Sequence, residues 1–170
     1  MLRVDITPYN DGVHRLALTP EAEALDLPEE AAPLRDVSVD LTLDVRRDRI
    51  LVHLVTEALA ELTCDRTLRP FDQPLSGQYS VLFGPERLVG TGATETYDEV
   101  RLLQRGDRFI DLTTVVRDTL LLDIPQRKVA PGAEDEAIDL NFGPADADDE
   151  APARATPEWK QKLQRLQDDD

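Results

Sequence analysis

Residues 37–45, VSVDLTLDV, alternate without a break. Val37, Val39, Leu41, Leu43 and Val45 are apolar, and Ser38, Asp40, Thr42 and Asp44 between them are polar. A period of two over nine residues puts one set of side chains on each face of a strand, one face buried and one wet. A helix cannot use this pattern, because 3.6 residues per turn would scatter the apolar set around its axis. The run RRDR, 46–49, then reads as a short polar turn, and ILVHLVTEALAELTC, 50–64, as a second, longer strand. The pair predicts a hairpin whose long strand bends or carries a bulge. Ala58, Leu59 and Ala60 make a helix the competing reading for 54–62. The β-rich flanks and the tight turn favour the strand.

Other segments follow the same logic. Pro8, Asn10, Asp11 and Gly12 signal a turn before VHRLALT, 13–19, which alternates as a strand. The piece EAEALDLPEEAA reads as a brief helix or a loop. GQYSVLF, 77–83, is a strand with Tyr79, Val81 and Phe83 on one side, and TYDEVRLLQ, 96–104, is another ending at the RGD turn, 105–107. From Asp111 the period changes. Asp111 can cap a helix, Leu112, Val115, Val116, Thr119 and Leu120 share one face, and Pro125 stops it. The expected fold is mainly β (α+β). It is a small antiparallel β-barrel or sandwich with one amphipathic helix at about 111–124, an acidic flexible tail and a short C-terminal helix.

The expected organisation is a β-rich domain over 1–128, an acidic linker with Pro and Gly over 129–155, and a short amphipathic helix over 156–167. Between 131 and 170 there are 12 acidic and 4 basic residues, a net of -8 out of -16 for the whole chain. Such a segment buries too little apolar surface to order itself alone. In the terminal helix Thr156 is the cap and Pro157 the first position. Trp159, Leu163 and Leu166 share a face, so this is a docking element for its own domain or for a partner.

The net charge of -16 disfavours generic attraction to a phosphate backbone. Asp outnumbers Glu by 22 to 13, and Lys128, Lys160 and Lys162 are the only lysines. Both a basic partner and a salty cytoplasm fit that balance, so the sign of the charge does not decide function. No apolar run approaches the roughly 18 residues of a membrane span, and the first residues show no secretory signal. A single cysteine fits a reducing compartment, and the expected location is the cytoplasm.

Catalytic motifs are few. His14 and His53 both lie in strand-like segments, and nothing in their spacing makes them converge on a metal. There is no HExxH, CxxC pair or P-loop, and GTGATE, 90–95, lacks the third glycine of a dinucleotide site. Cys64, followed by Asp65 and Arg66, reads as a nucleophile, half of a metal site or a small core residue. A nucleophile needs a positioned base, and His53 is the only one within reach on paper. No catalytic residue, metal, cofactor or small-molecule substrate is expected.

Three segments in order, CDRTLRPF (64–71), IDLTTVVRDTLLLDIP (110–125) and TPEWKQKLQRL (156–166), resemble the YceD family of large ribosomal RNA accumulation proteins. Its signature looks like C-x-R-C-L, a later I-D-L…E-x-L-L-L-x-x-P, and a terminal D-P-R-W…L…L. The lead ITPYNDGVHRLALT is similar to a family start of the form L-x-x-G-x-H. Cys64 and Arg66 match the first motif, and Thr67 stands where a second cysteine would be. Asp111 and Leu112 match the D-L, Asp118 replaces a glutamate, and Trp159 matches the terminal tryptophan. Relatives with further cysteines resemble zinc ribbons; the departures here imply no zinc. The resemblance implies a non-catalytic role in large-subunit biogenesis, supporting synthesis, processing or stability of 23S ribosomal RNA. The implied partner is a ribosomal protein or pre-large-subunit particle, with direct RNA contact disfavoured by net charge. The alternatives are a carboxylate-dependent metal nuclease on ribosomal RNA precursors and a purely structural acidic domain. On this reading Cys64 is a small buried hydrophobe, and Arg66 pairs with Asp111 or Asp118 within the fold or, as the second reading, binds a partner.

Overall fold

The computed structural model describes residues 1–89 and 94–133. The chain divides into two units, Met1–Ile138 and Asp139–Asp170, and the described residues all belong to the first. The linker from 134 onward, the terminal helix with Trp159, Leu163 and Leu166, and most of GTGATE lie outside the described residues.

Among the described residues seven strands and one α-helix follow in order: β1 (Arg3–Asp5), β2 (Gly12–Leu18), β3 (Leu34–Arg46), β4 (Arg49–Thr63), β5 (Pro70–Gly84), β6 (Glu99–Leu102), β7 (Phe109–Asp111) and α1 (Thr113–Leu122). The brief helix expected near 21–32 is a single 3-10 turn, Ala22–Leu25. Strands β2 to β6 form one sheet in sequence order, and β1 pairs with β7 in a small second sheet. The hairpin of β3 and β4 forms as expected, with Arg46 opposite Arg49 across a two-residue turn. Residues 54–62 are strand, so neighbours on both sides override the local helix preference of Ala58 to Ala60.

Alternation decides the core. Val37, Val39, Leu41, Leu43 and Val45 of β3 are buried, as are Val52, Leu54, Thr56, Ala58 and Ala60 of β4. Val4 and Ile110 of the small sheet, Leu25, and Leu112, Val115, Val116 and Leu120 around the helix complete one cluster on that face. Each fully buried leucine or valine contributes about 1.5–3 kcal/mol. The opposite face of the central strands carries Asp40, Asp44, His53, Glu57 and Glu61, exposed or half-buried.

Three expectations need correction. The sheet is open and not a closed barrel: β2 and β6 end it on opposite sides, and β6 is only four residues long. The second layer consists of the small sheet and the helix, which is sandwich-like. Nor is it wholly antiparallel, because β6 runs parallel to β5. The chain leaves β5 at Gly84 and returns over residues 85–98, and a crossover of that length brings β6 back in the same direction. Finally, the register shift lies in β3, between Arg35 and Ser38, where Asp36 has φ of 52°; β4 runs unbroken against β5. The excess residue is absorbed on the strand with the freer end.

Strand β5 starts seven residues earlier than expected, at Pro70, and includes Pro74. Proline lacks an N–H and belongs on strand edges. Here β6 pairs only with Val81–Gly84, so the first part of β5 is such an edge and accommodates both prolines.

The Cys64 loop, the helix groove and an arginine cleft

The loop between β4 and β5 is built around Cys64, which has no exposed surface. The Cys64 N–H donates to the Arg69 carbonyl at 2.9 Å, and the Leu68 N–H to the Cys64 carbonyl at 2.9 Å, closing the turn. Leu68 takes the left-handed conformation, with φ of 55°, at the exposed tip. The loop also holds the segment after the helix. Asp65 N–H donates to the Lys128 carbonyl at 2.7 Å, and Lys128 N–H returns a bond to Asp65 Oδ2 at 2.7 Å. Ala130 N–H points at Cys64 Sγ from 3.4 Å.

That amide, with the hydroxyl and N–H of Thr67, outweighs burial and draws the Cys64 thiol down to about 7. Because the folded value lies below the unfolded one, the stabilisation is full only above the unfolded pKa and is lost as pH falls through about 7. The ultraviolet absorbance of the thiolate should therefore rise with a midpoint of about 7 in the folded protein. A midpoint at the ordinary free-thiol value would show that the amides do not act on the sulfur. Cys64→Ser, which keeps an acceptor in place, should cost no more than about 1.5 kcal/mol in a denaturant titration.

The donors around the sulfur do not suit zinc. Four ligands are needed, and beside the single cysteine Thr67 offers only a neutral hydroxyl. The histidines cannot help. His53 lies on the solvent face of β4, eleven residues or about 35 Å along the strand from Cys64, with Nδ1 at 2.8 Å from Ser80 Oγ. The distance also removes His53 as a base for Cys64. His14 lies on the opposite face of the sheet, with Nε2 at 2.8 Å from the Asn10 carbonyl. Among the described residues no group of three or more His, Cys, Asp or Glu is placed to hold a metal ion.

The other residues singled out in the sequence lie in separate places. Asp111 ends β7, and Leu112, not Asp111, holds the cap position of the helix; Asp111 Oδ1 accepts the Thr113 N–H at 2.9 Å, and Arg3 Nε lies 3.5 Å from Oδ2. Burial pushes the Asp111 carboxyl up, but Thr113 and Arg3 outweigh it and hold the group below its usual range. Asp118 is exposed on α1 and accepts from Arg117 Nε at 2.8 Å. Among the described ion pairs these carboxylates have Arg3 and Arg117 as partners, and the Arg66 Nε is buried in the Cys64 loop.

Asp118 borders a groove of about 420 Å³ between α1 and β5, with Tyr79, Glu99, Arg101 and the exposed Leu122. Arg101 spans it, with both nitrogens on Glu99 at 3.0 and 3.2 Å and a third bond to Thr114 Oγ1 at 2.9 Å. Burial, with the nearby Glu99, raises the Tyr79 phenol above its ordinary value.

At the hairpin end of the sheet lies a larger cleft, of about 1060 Å³, that the sequence does not reveal. The turn supplies Arg46, Arg47 and Arg49, the 3-10 turn after β5, Glu86–Leu88, brings Arg87, and the RGD turn brings Arg105. RRDR is visible as a polar turn, but its two distant neighbours are not.

Among the described residues no helix is long and apolar enough to cross a membrane. No curated protein and no solved structure matches the chain. Residues 52–167, well over half of it and all three quoted motifs, match the family model for the large ribosomal RNA subunit accumulation protein YceD. On that match, from the middle of the hairpin to the terminal segment, the chain belongs to the YceD family.

Proposed function

We propose that this protein is a non-catalytic, cytoplasmic factor in large ribosomal subunit biogenesis, sustaining 23S ribosomal RNA by binding a component of the assembling particle. The observation that supports this reading is the family match over 52–167, whose description is accumulation of large-subunit ribosomal RNA. Form is consistent with binding. The solvent face of the sheet presents Asp40, Glu57 and Glu61 on extended, rigid strands, suited to a basic ribosomal protein or a basic patch of the particle. The Cys64 loop and the groove beside α1 add shaped surfaces at its margin.

Depletion from the native host tests the reading. Large-subunit RNA should fall relative to small-subunit RNA, and the protein should co-sediment with pre-large-subunit particles. Unchanged levels of precursor and mature large-subunit RNA, with no co-sedimentation, would refute it.

A further inference from the structure

The arginine cleft conflicts with the charge of the chain. Its lining holds five arginines against Asp11, Asp48 and Asp107, in a protein of net charge -16. Two of those carboxylates are engaged: Asp48 pairs with Arg87, and Asp107 Oδ2 accepts the Gln104 N–H at 2.8 Å. Arg46 has a partner in Asp44, 2.9 Å away, outside the cleft. Arg47, Arg49 and Arg105 make no ion pair among the described residues, and all three are exposed.

This arrangement is costly for the fold. Arg46 and Arg49 stand directly opposite each other in the ladder, with Arg47 between them. Like charges at such positions destabilise a hairpin, an effect that Asp44 offsets at Arg46 but that no described ion pair offsets at Arg49. Stability alone does not account for three arginines at one turn, or for two more delivered from the 3-10 turn after β5 and the RGD turn. That turn is closed by reciprocal bonds between Gln104 and Asp107, with Gly106 at φ of 102°, which fixes Arg105 at the rim.

Two half-buried tyrosines flank the cations. Tyr9 lines the cleft, packed 4.9 Å from the His14 ring, and Tyr97 lines an adjoining cavity of about 360 Å³ that shares Arg46 and Arg49. Guanidinium groups along a groove walled by one aromatic ring, with a second ring across the hairpin end on the other face of the sheet, suit a strand that carries both phosphates and unstacked bases.

We infer that this cleft binds single-stranded RNA, with Arg47, Arg49 and Arg105 on the phosphates and Tyr9 and Tyr97 beside the bases. The choice of RNA rests on the role proposed above; the phosphate chemistry rests on the cleft. Net charge does not forbid it. At about 0.1 M salt the Debye length is near 10 Å, so remote carboxylates are screened while the local arginines still act.

The test is fluorescence anisotropy on the full chain with a labelled single-stranded oligouridylate, a matched RNA duplex, an acidic peptide, and inorganic phosphate as competitor. The variants are Arg47→Ala/Arg49→Ala/Arg105→Ala, and Arg15→Ala/Arg127→Ala as a control that removes exposed arginines elsewhere. Circular dichroism establishes that each is folded. The single strand should bind in preference to the duplex. The triple variant should lose at least about tenfold in affinity, and its salt slope should fall by about 2, at roughly 0.7 per phosphate contact. The control should change little.

Unaltered binding by the triple variant, or an equal loss in the control, overturns the inference. So does full displacement by millimolar phosphate, which would identify a free-anion site, or binding of the acidic peptide in place of RNA. If RNA fails to bind while the protein still co-sediments with pre-large-subunit particles, the cleft inference falls and the role in biogenesis stands.

Discussion

Gly77→Ala should destabilise the protein by about 3 kcal/mol, the upper end of what overpacking costs. A β-carbon built at Gly77 would lie 2.5 Å from Thr119 Cγ2, 3.2 Å from the Thr119 carbonyl and 3.4 Å from Thr56 Oγ1. The methyl cannot simply rotate away, because Thr119 Oγ1 donates to the Val115 carbonyl at 2.7 Å and holds that rotamer. The carbonyl belongs to the helix itself, so α1 must move. It is also tied to β5 by Asp123 Oδ2, which accepts the Ser76 N–H at 2.8 Å. Adding Thr119→Ala should recover part of the loss, giving a non-additive double-mutant cycle. Near-normal stability of Gly77→Ala in a denaturant titration would show that the helix does not sit this close.

Leu54→Ala should cost about 3–5 kcal/mol, a large fraction of the 5–15 kcal/mol that holds a domain folded. Leu54 is fully buried at the middle of β4. It stands opposite Leu41 on one side and Tyr79 on the other, all on the face that α1 and the small sheet cover. Paired strands on both sides hold the backbone, so the vacated space cannot close by local collapse. Thermal unfolding with a Tm lowered by more than about 8 °C is the expected reading for a domain of this size. A fall of under about 2 °C would show that Leu54 is not in a packed core.

Most of the strands were legible because period-two alternation is a local property. Val37 to Val45 showed their buried face without reference to any neighbour, and the change of period after Asp111 marked the helix. The edges of elements were less legible. Proline disfavours a paired strand, and only the short reach of β6 leaves an edge where Pro70 and Pro74 fit. The register shift in the hairpin falls in β3, between Arg35 and Ser38, because register depends on what the partner strand does.

The candidate sites divide along the same line. The resemblance implies Cys64 as a small buried residue, but its polarised sulfur depends on Ala130, sixty-six residues away. Charge alone does not pick out Arg3 for Asp111, because the two are brought together only by the pairing of β1 with β7.

By itself the sequence determined the β-rich core, the hairpin, the helix and the family, because alternation, turns and short ordered motifs are written in consecutive residues. Tertiary structure decided that the sheet stays open, that β6 runs parallel, and that Arg47, Arg49, Arg87 and Arg105 meet at one end of an acidic protein. Net charge sums over the whole chain, whereas a ligand meets the field within about a Debye length, and only the fold sets which charges share that distance.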